Sequence, residues 1–443
     1  MKWGIVGGGV TGLTLALRLR SQGHEVTLLE SAPLLGGLAR PWEAGNITWD
    51  RFYHVILLSD NYTRGILRDI GVERDLQWVE TRTGLYADGH LTSLSNAAEY
   101  LRLPVLNLLE RLRLGLTILY ASKVRNREKL EKIPVEQWLT QLSGKGTFQK
   151  LWRPLLRAKL GEGWRKTSAA FIWATTQRLY AARRTGLKKE MFGYLPGGYA
   201  AIFREFEDHL LNMGVTIQVG RNVDLVKKHG NRFIIQSAGE KQEFDRVALT
   251  CSNSRIAGLC PQLAPDEQTL LTNTIYQGLV CASVLLEKPL ADYYLTYLMD
   301  DELPFTAVVE MTAFIDPQQL GGKTLVYLPR YIDADDPFFR ASDEEVRRSF
   351  LAGLEKIYPA FRREDVLAFQ VAREGEIFPV PVLEYSKKIP PIRSSIPGLY
   401  FVTSAQIVNG TLNVNDSIRI AETALPVLLA DVADHPARGM RQE

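Results

Sequence analysis

The chain of 443 residues has little cysteine: Cys251, Cys260 and Cys281 are its only three. None stands in C-x-x-C spacing and the count is odd, which argues against a disulfide scaffold and a zinc or redox pair, and for a reducing compartment. Charge of one sign is also lacking. Lysine plus arginine is 53 and aspartate plus glutamate is 50, a net charge of +3, without the basic excess of a nucleic-acid binder. No run of about 18 uncharged apolar residues occurs, so no membrane-crossing helix is expected. H-E-x-x-H, G-x-S-x-G and P-loop patterns are missing, and no metal site is expected. Met1-Lys2 leads straight into the strand-like Trp3-Gly4-Ile5-Val6. A leader is therefore not expected, the reading is a cytoplasmic protein, and Asn46-Ile47-Thr48 is a chance sequon. With 46% hydrophobic and 23% charged residues, the chain can build ordinary cores, at this length in two or three domains.

One segment, Leu101 to Val124, is rich in leucine but interrupted by Arg102, Glu110, Arg111, Arg113 and Lys123. The reading adopted is a core helix pair, because buried helices outnumber membrane-surface helices. The competing reading is a peripheral membrane contact, because leucines crowd one side and the charges are mostly basic.

The most informative segment is the first forty residues. Trp3–Val6 reads as a buried strand and is followed by Gly7-Gly8-Gly9-Val10-Thr11-Gly12. A helix carrying Leu13, Leu15, Ala16, Leu17 and Leu19 comes next, then a strand through Val26 to Leu29 that ends in Glu30. Gly7 permits the tight turn, Gly9 lets a pyrophosphate approach the backbone, and Gly12 allows close helix–strand packing. The helix N-terminus, with Val10 and Thr11, offers free N–H groups to phosphate. Glu30 lies 30 − 12 = 18 residues beyond the last glycine, where a carboxylate reaches ribose hydroxyls and repels a 2′-phosphate.

Ser31-Ala32-Pro33-Leu34-Leu35-Gly36-Gly37-Leu38-Ala39-Arg40 follows. This second glycine pair with its arginine resembles the flavin-containing amine oxidase superfamily, which includes monoamine and polyamine oxidases, protoporphyrinogen oxidase and phytoene desaturases. Leu38 stands where many members have arginine directly after the glycines, and Arg40 is then the phosphate ligand. Further segments are similar. Gly193 to Tyr199 holds a proline–glycine–glycine turn before a helix from Ala200 to Met213, and Val223 would lie by the adenine. Pro397 to Ser404 and Asn409 to Ser417 precede a helix expected from about Ile418 to Val432. There Ser404, Asn413, Val414 and Asn415 would approach the ribitol and ring, with Thr403-Ser404 replacing the usual glycine–acid pair. Ile133 to Gly161 resembles the helical substrate region of protoporphyrinogen-oxidase-like members.

The resemblance implies an α/β fold: a Rossmann-type FAD-binding domain with a parallel sheet, interleaved with an α+β substrate domain of mixed sheet and helices. The flavin domain would take residues 1–75, 191–255 and 385–433, and the substrate domain 76–190 and 256–384, with 434–443 a loose tail. The implied activity is a non-covalent FAD taking a hydride from an amine or an apolar small molecule. No second G-x-G-x-x-G marks an NADPH site, so electrons are expected to leave to oxygen, a quinone or another acceptor. His54, in Asp50-Arg51-Phe52-Tyr53-His54, would shuttle a proton or bond the ring, or be structural. Lys159 would approach the flavin edge, or be a surface lysine at a helix end. Tyr331, Glu310 and Tyr385 are unranked pocket candidates, and Tyr293-Tyr294 and Phe338-Phe339 would wall an apolar cavity or sit in core. Two other functions use related folds: a UDP-galactopyranose mutase, for which Arg178, Arg183 and Arg184 would grip a diphosphate, and a non-enzymatic Rab GDP-dissociation inhibitor.

Overall fold

The computed structural model describes residues 1–44, 47–95, 99, 103, 105–183, 191–408, 410 and 412–433, with side chains of 44, 178–183 and 431–433 left out. The expected tail at 434–443, Asn46 of the sequon, and Arg184 with the side chains of Arg178 and Arg183 lie outside the described residues.

The apolar run Trp3–Val6 becomes the central strand of a five-stranded parallel sheet, in the order 216–218, 25–29, 2–6, 246–249, 399–401. Strands buried on both faces are near-continuous hydrophobic runs; here residues 3–6, 26–29 and 247–249 are all buried. The helix Val10–Ser21 crosses from the first strand to the second and packs on the C-terminal helix Val414–Ala433. That helix starts four residues earlier than its sequence pattern indicates, because the Asn413 side chain accepts the Asp416 N–H at 2.9 Å and caps it. An antiparallel three-stranded sheet (223–229, 232–237, 240–244) covers the parallel one, with Ile235 and Phe244 pressed onto Gly4.

The second layer system is a seven-stranded mixed sheet, in the order 366–379, 276–286, 324–332, 307–310, 295–298, 83–87, 90–93. Alternation along Thr324–Ile332 divides its side chains between two cores. Leu325, Tyr327 and Tyr331 face the helical region of residues 108–172, whereas Val326, Leu328 and Ile332 face the helix Asp343–Ile357. The α/β class, with a parallel-sheet part interleaved with a mixed-sheet part, is as the sequence reading has it. All three cysteines are free thiols.

The leucine-rich segment departs from its adopted reading. Among its described residues it forms the helix Leu108–Lys123, opened by an Asn107–Glu110 capping box, and within that helix only Leu114, Thr117 and Ala121 are buried. A helix packs along one stripe; this one has more leucines than its stripe holds, and the surplus faces outward. Among the described residues no helix is long and apolar enough to cross a membrane.

A Cβ on Gly12 would overlap the Gly7 carbonyl oxygen, whereas one on Gly65, within the helix Asn61–Asp69, would meet no atom within 4 Å. Gly12→Ala is expected to cost about 1–3 kcal/mol of stability, and Gly65→Ala to add about 0.5–1 kcal/mol. Denaturant unfolding of the two variants measures the contrast.

Candidate active site

Two glycine loops meet at the C-terminal edge of the parallel sheet. Gly36 N donates to Gly8 O at 2.9 Å, and Gly9 and Gly37 approach so closely that a Cβ on Gly37 would sit 3.1 Å from Gly9 Cα. In front of Gly9 a Cβ would meet nothing nearer than 3.8 Å, so its backbone is open to a ligand. Glu30 holds this arrangement. One carboxylate oxygen accepts Gly8 N at 2.6 Å and the other accepts Ala32 N at 2.7 Å and Ser31 Oγ at 3.2 Å. Those three bonds leave acceptor capacity on a carboxylate with about four lone-pair sites. The chain before Val223 crosses the same end: Gly220 N donates to Ala32 O and Arg221 N to Glu30 O, and Val223 O accepts from Arg255. Leu38 and Ala39 form a short 3-10 turn. The following Arg40 makes no ion pair among the described residues, and its charge lies near Arg51.

Two helix N-termini converge here, since Thr11 Oγ1 donates to Ser417 O at 3.3 Å. Such paired termini favour an anion. Val414 opens the second helix beside its cap Asn413. The Asn415 side-chain oxygen is committed elsewhere, accepting the N–H groups of Tyr62 and Thr63, so Asn415 would meet a ligand through donors, its backbone N–H or side-chain NH2. Ser404 begins a 3-10 turn capped by Thr403, whose hydroxyl donates to Asn253.

Between this edge and the mixed sheet lies a polar cluster in aromatic surroundings. Asp50 is buried and accepts Tyr199 N at 2.8 Å, at the start of the helix Gly198–Asn212. Burial, opposed by that hydrogen bond, pushes its carboxyl up to about 8, so it is mostly protonated at neutral pH. The Asp50 backbone oxygen accepts from Tyr327 Oη. His54 stands 4.0 Å from Asp50 with its ring against Tyr199. Burial, with a smaller contribution from the Lys159 charge, brings the imidazole down to about 4 against a bond with Phe52 O. Its Nδ1 lies 2.8 Å from that carbonyl, which requires the proton on Nδ1 and leaves Nε2 an acceptor.

Lys159 is not a surface lysine. It ends the helix Arg153–Leu160 and turns inward, with Nζ donating to Tyr331 Oη at 3.2 Å. Tyr331 Oη is in turn 3.1 Å from Tyr53 Oη. The structure therefore brings His54 and Lys159, 105 positions apart in sequence, into one cluster and singles out Tyr331 among the unranked candidates. Glu310 instead accepts Leu290 and Ala291 N–H groups, and Tyr385 donates to Ala405 O; both serve the framework. Tyr294 packs in an aromatic group with Phe192 and Phe314. Sequence reasoning gave no role to Asp50, Tyr53 or Tyr199. The available signal was the i, i+4 spacing of Asp50 and His54 and the position of Tyr199 directly after the glycine pair. A cleft of about 600 Å³ borders the cluster through Ala158, Gly161 and Tyr331.

The model of the family described as flavin containing amine oxidoreductase matches residues 10–422. The chain belongs to the flavin-containing amine oxidoreductase family. It is a flavin-dependent oxidoreductase of that family, and its glycine loops fit the cofactor: the backbone is open at Gly9 and closed to side chains at Gly12. A relative named as a zeta-carotene desaturase, from Synechococcus elongatus, is 22% identical over 412 residues, 82% of this chain and 85% of that protein. In fold, the chain resembles a structure assigned as a protoporphyrinogen oxidase from Exiguobacterium sp. 255-15, with TM-score 0.76, 18% identity, and coverage of 98% and 99% of the two chains. A reduced UDP-galactopyranose mutase shares the fold at TM-score 0.74 and 16% identity, over 96% of each chain.

Asp50 and His54 give a testable pH dependence. Between pH 3.8 and about 8 the native Asp50 keeps a proton that the unfolded chain has released, so rising pH lowers stability. Between about 4 and 6.5 the unfolded His54 holds a proton that the native ring refuses, so rising pH raises stability. The two oppose each other up to pH 6.5; above it Asp50 dominates, joined up to about pH 7 by Glu310, whose carboxyl burial pushes up to about 7. Wild-type stability should fall by up to about 3 kcal/mol from pH 6.5 to 8, and Asp50→Asn should remove most of this fall, leaving the smaller part that ends near pH 7 with Glu310. Parallel melting profiles for the two proteins would refute the assignment.

Proposed function

We propose that the protein is an FAD-dependent oxidoreductase that takes a hydride from a C–H bond of an apolar small molecule, in the manner of a desaturase. Residues 1–75, 191–255 and 385–433 would hold a non-covalent FAD. Gly7, Gly9, Val10, Thr11 and Gly12 would take the pyrophosphate on backbone N–H groups, with Gly36, Gly37, Leu38 and Arg40 on its other side. Glu30 would use its remaining acceptor capacity on the ribose, and the Val223 backbone would meet the adenine. Ser404 and the helix start at Asn413, Val414 and Asn415 would face the ribitol and ring. When bound, the flavin supplies the two-electron acceptor that the side chains lack.

The observation that carries the choice of an apolar substrate is the charge state of the cluster. Burial raises the Asp50 carboxyl to about 8 and lowers the His54 imidazole to about 4, so at neutral pH the cluster disfavours an anion that would hold a substrate ammonium. The cation there is Lys159, on Tyr331. In the neighbouring cleft Glu162, Asp301 and Glu302 are ion-paired, whereas Asp333 and Asp335 are solvent-exposed lining residues outside the buried cluster. The aromatic faces of Tyr53, Tyr199 and Tyr331 would orient an apolar chain and exclude water. His54 Nε2 would accept a proton from the substrate, and Lys159 would hold the Tyr331–Tyr53 hydroxyl pair in place.

The purified protein should be yellow and release FAD on denaturation. Under anaerobic conditions the flavin bands should bleach with polyenes of carotenoid type and persist with primary amines and UDP-galactopyranose. His54→Asn should keep its FAD and lose about 10²-fold or more in turnover. Bleaching by amines alone would overturn the apolar reading, and a colourless protein that takes up no FAD would overturn the whole proposal.

A further inference from the structure

Large apolar side chains exposed to solvent are not scattered over this protein. Among the described residues thirteen are exposed, and six belong to the single helix Leu108–Lys123: Leu108, Leu109, Leu112, Leu116, Leu119 and Tyr120, between 51% and 71% exposed. Their spacing of three and four places them on one side. The opposite side, with Leu114, Thr117 and Ala121, is already buried against the helices Val135–Ser143 and Ala169–Arg183. A contiguous exposed apolar face of this kind marks an interaction surface.

Charge decides what covers it. Residues 107–132 hold seven lysines and arginines against three glutamates. Two of those glutamates are paired, Glu110 with Lys150 and Glu131 with Arg127. Arg113, Lys123 and Arg125 are exposed at the border of the leucine face, with Arg111 half-buried at its other edge. A second copy of the chain docked about a two-fold axis would bring this basic border against itself, which is repulsive. An anionic bilayer complements both features at once, since leucines enter the acyl boundary while lysine and arginine stems reach the headgroups. With 16 residues the helix is too short to span and would lie in the plane of the surface.

We propose that the Leu108–Lys123 helix docks the protein on anionic lipid bilayers. The inference stands on exposure and charge, independently of the redox chemistry assigned above. The test is co-sedimentation of the full-length holoprotein with vesicles of phosphatidylcholine alone and of phosphatidylcholine containing about one third phosphatidylglycerol. Binding is expected to the anionic vesicles, weakening with added salt. The double variant Leu112→Gln/Leu116→Gln should bind at least about tenfold more weakly with unchanged flavin absorbance and melting temperature. Leu367→Gln, at an exposed leucine on another element, should bind as wild type. Failure of the wild type to bind anionic vesicles would overturn the proposal, as would equal binding by the double variant. A lipid-free dimer that the double variant converts to monomer would assign the face to a second copy and overturn it as well.

Discussion

The close approach of two stretches of backbone, at Gly8–Gly9 and Gly36–Gly37, is the constraint on which the rest of this structure depends. No side chain separates them, and Gly36 N reaches Gly8 O directly. Such an approach leaves peptide groups that need partners, and Glu30 supplies one at Gly8 N from within the same βαβ unit. The carboxylate that the dinucleotide pattern assigns to a ribose is thus also an internal strut. That dual use ties loop geometry to ligand recognition: the charge that would select a 2′-hydroxyl also holds the loop that would meet the phosphates. The start of the C-terminal helix is drawn in by the Thr11–Ser417 contact, so both positive helix ends serve one site although they lie about 400 positions apart in the chain.

Beyond that edge the design changes from exposed backbone to buried polar side chains. Asp50, His54, Tyr53, Tyr199, Tyr327 and Tyr331 share a region where charge is costly. Burial accordingly raises the Asp50 carboxyl and lowers the His54 imidazole, and Lys159 stands at the rim where Tyr331 meets it. The result is a site rich in hydroxyl and imidazole groups yet poor in net charge. Such a setting would suit the proposed C–H oxidation of an apolar molecule. The same burial that disfavours ions provides the dry surroundings such chemistry uses.

The helix Leu108–Lys123 shows where pattern reading stops. Its leucines run round much of the helix, and a helix apolar on most sides belongs either in a core or at a lipid boundary. Sequence periodicity does not distinguish the two, because both surroundings reward the same residues. The partner helices are what separate them. The helices 135–143 and 169–183 cover one side, and the basic residues border the side they leave open.

The βαβ unit, its acid and the second glycine pair were legible in the sequence because the determinants are local: backbone conformation at glycine, helix and strand periodicity, and a spacing fixed by one crossover. The cap at Asn413 was legible for the same reason, although the helix it opens begins earlier than the apolar pattern alone places it. Long-range packing decided the rest. Nothing local pairs Lys159 with Tyr331 and Tyr53; a helix end and two distant chain segments meet there because alternation along Thr324–Ile332 turns Tyr331 toward the helical region. Likewise only the surroundings neutralise Asp50 and His54, since an ionisation equilibrium is set by what displaces water around a group. The sequence by itself determined the dinucleotide loop and the class of fold. The tertiary structure alone decided which polar side chains share a site, which are charged, and which leucines face outward, because each depends on atoms contributed by remote parts of the chain.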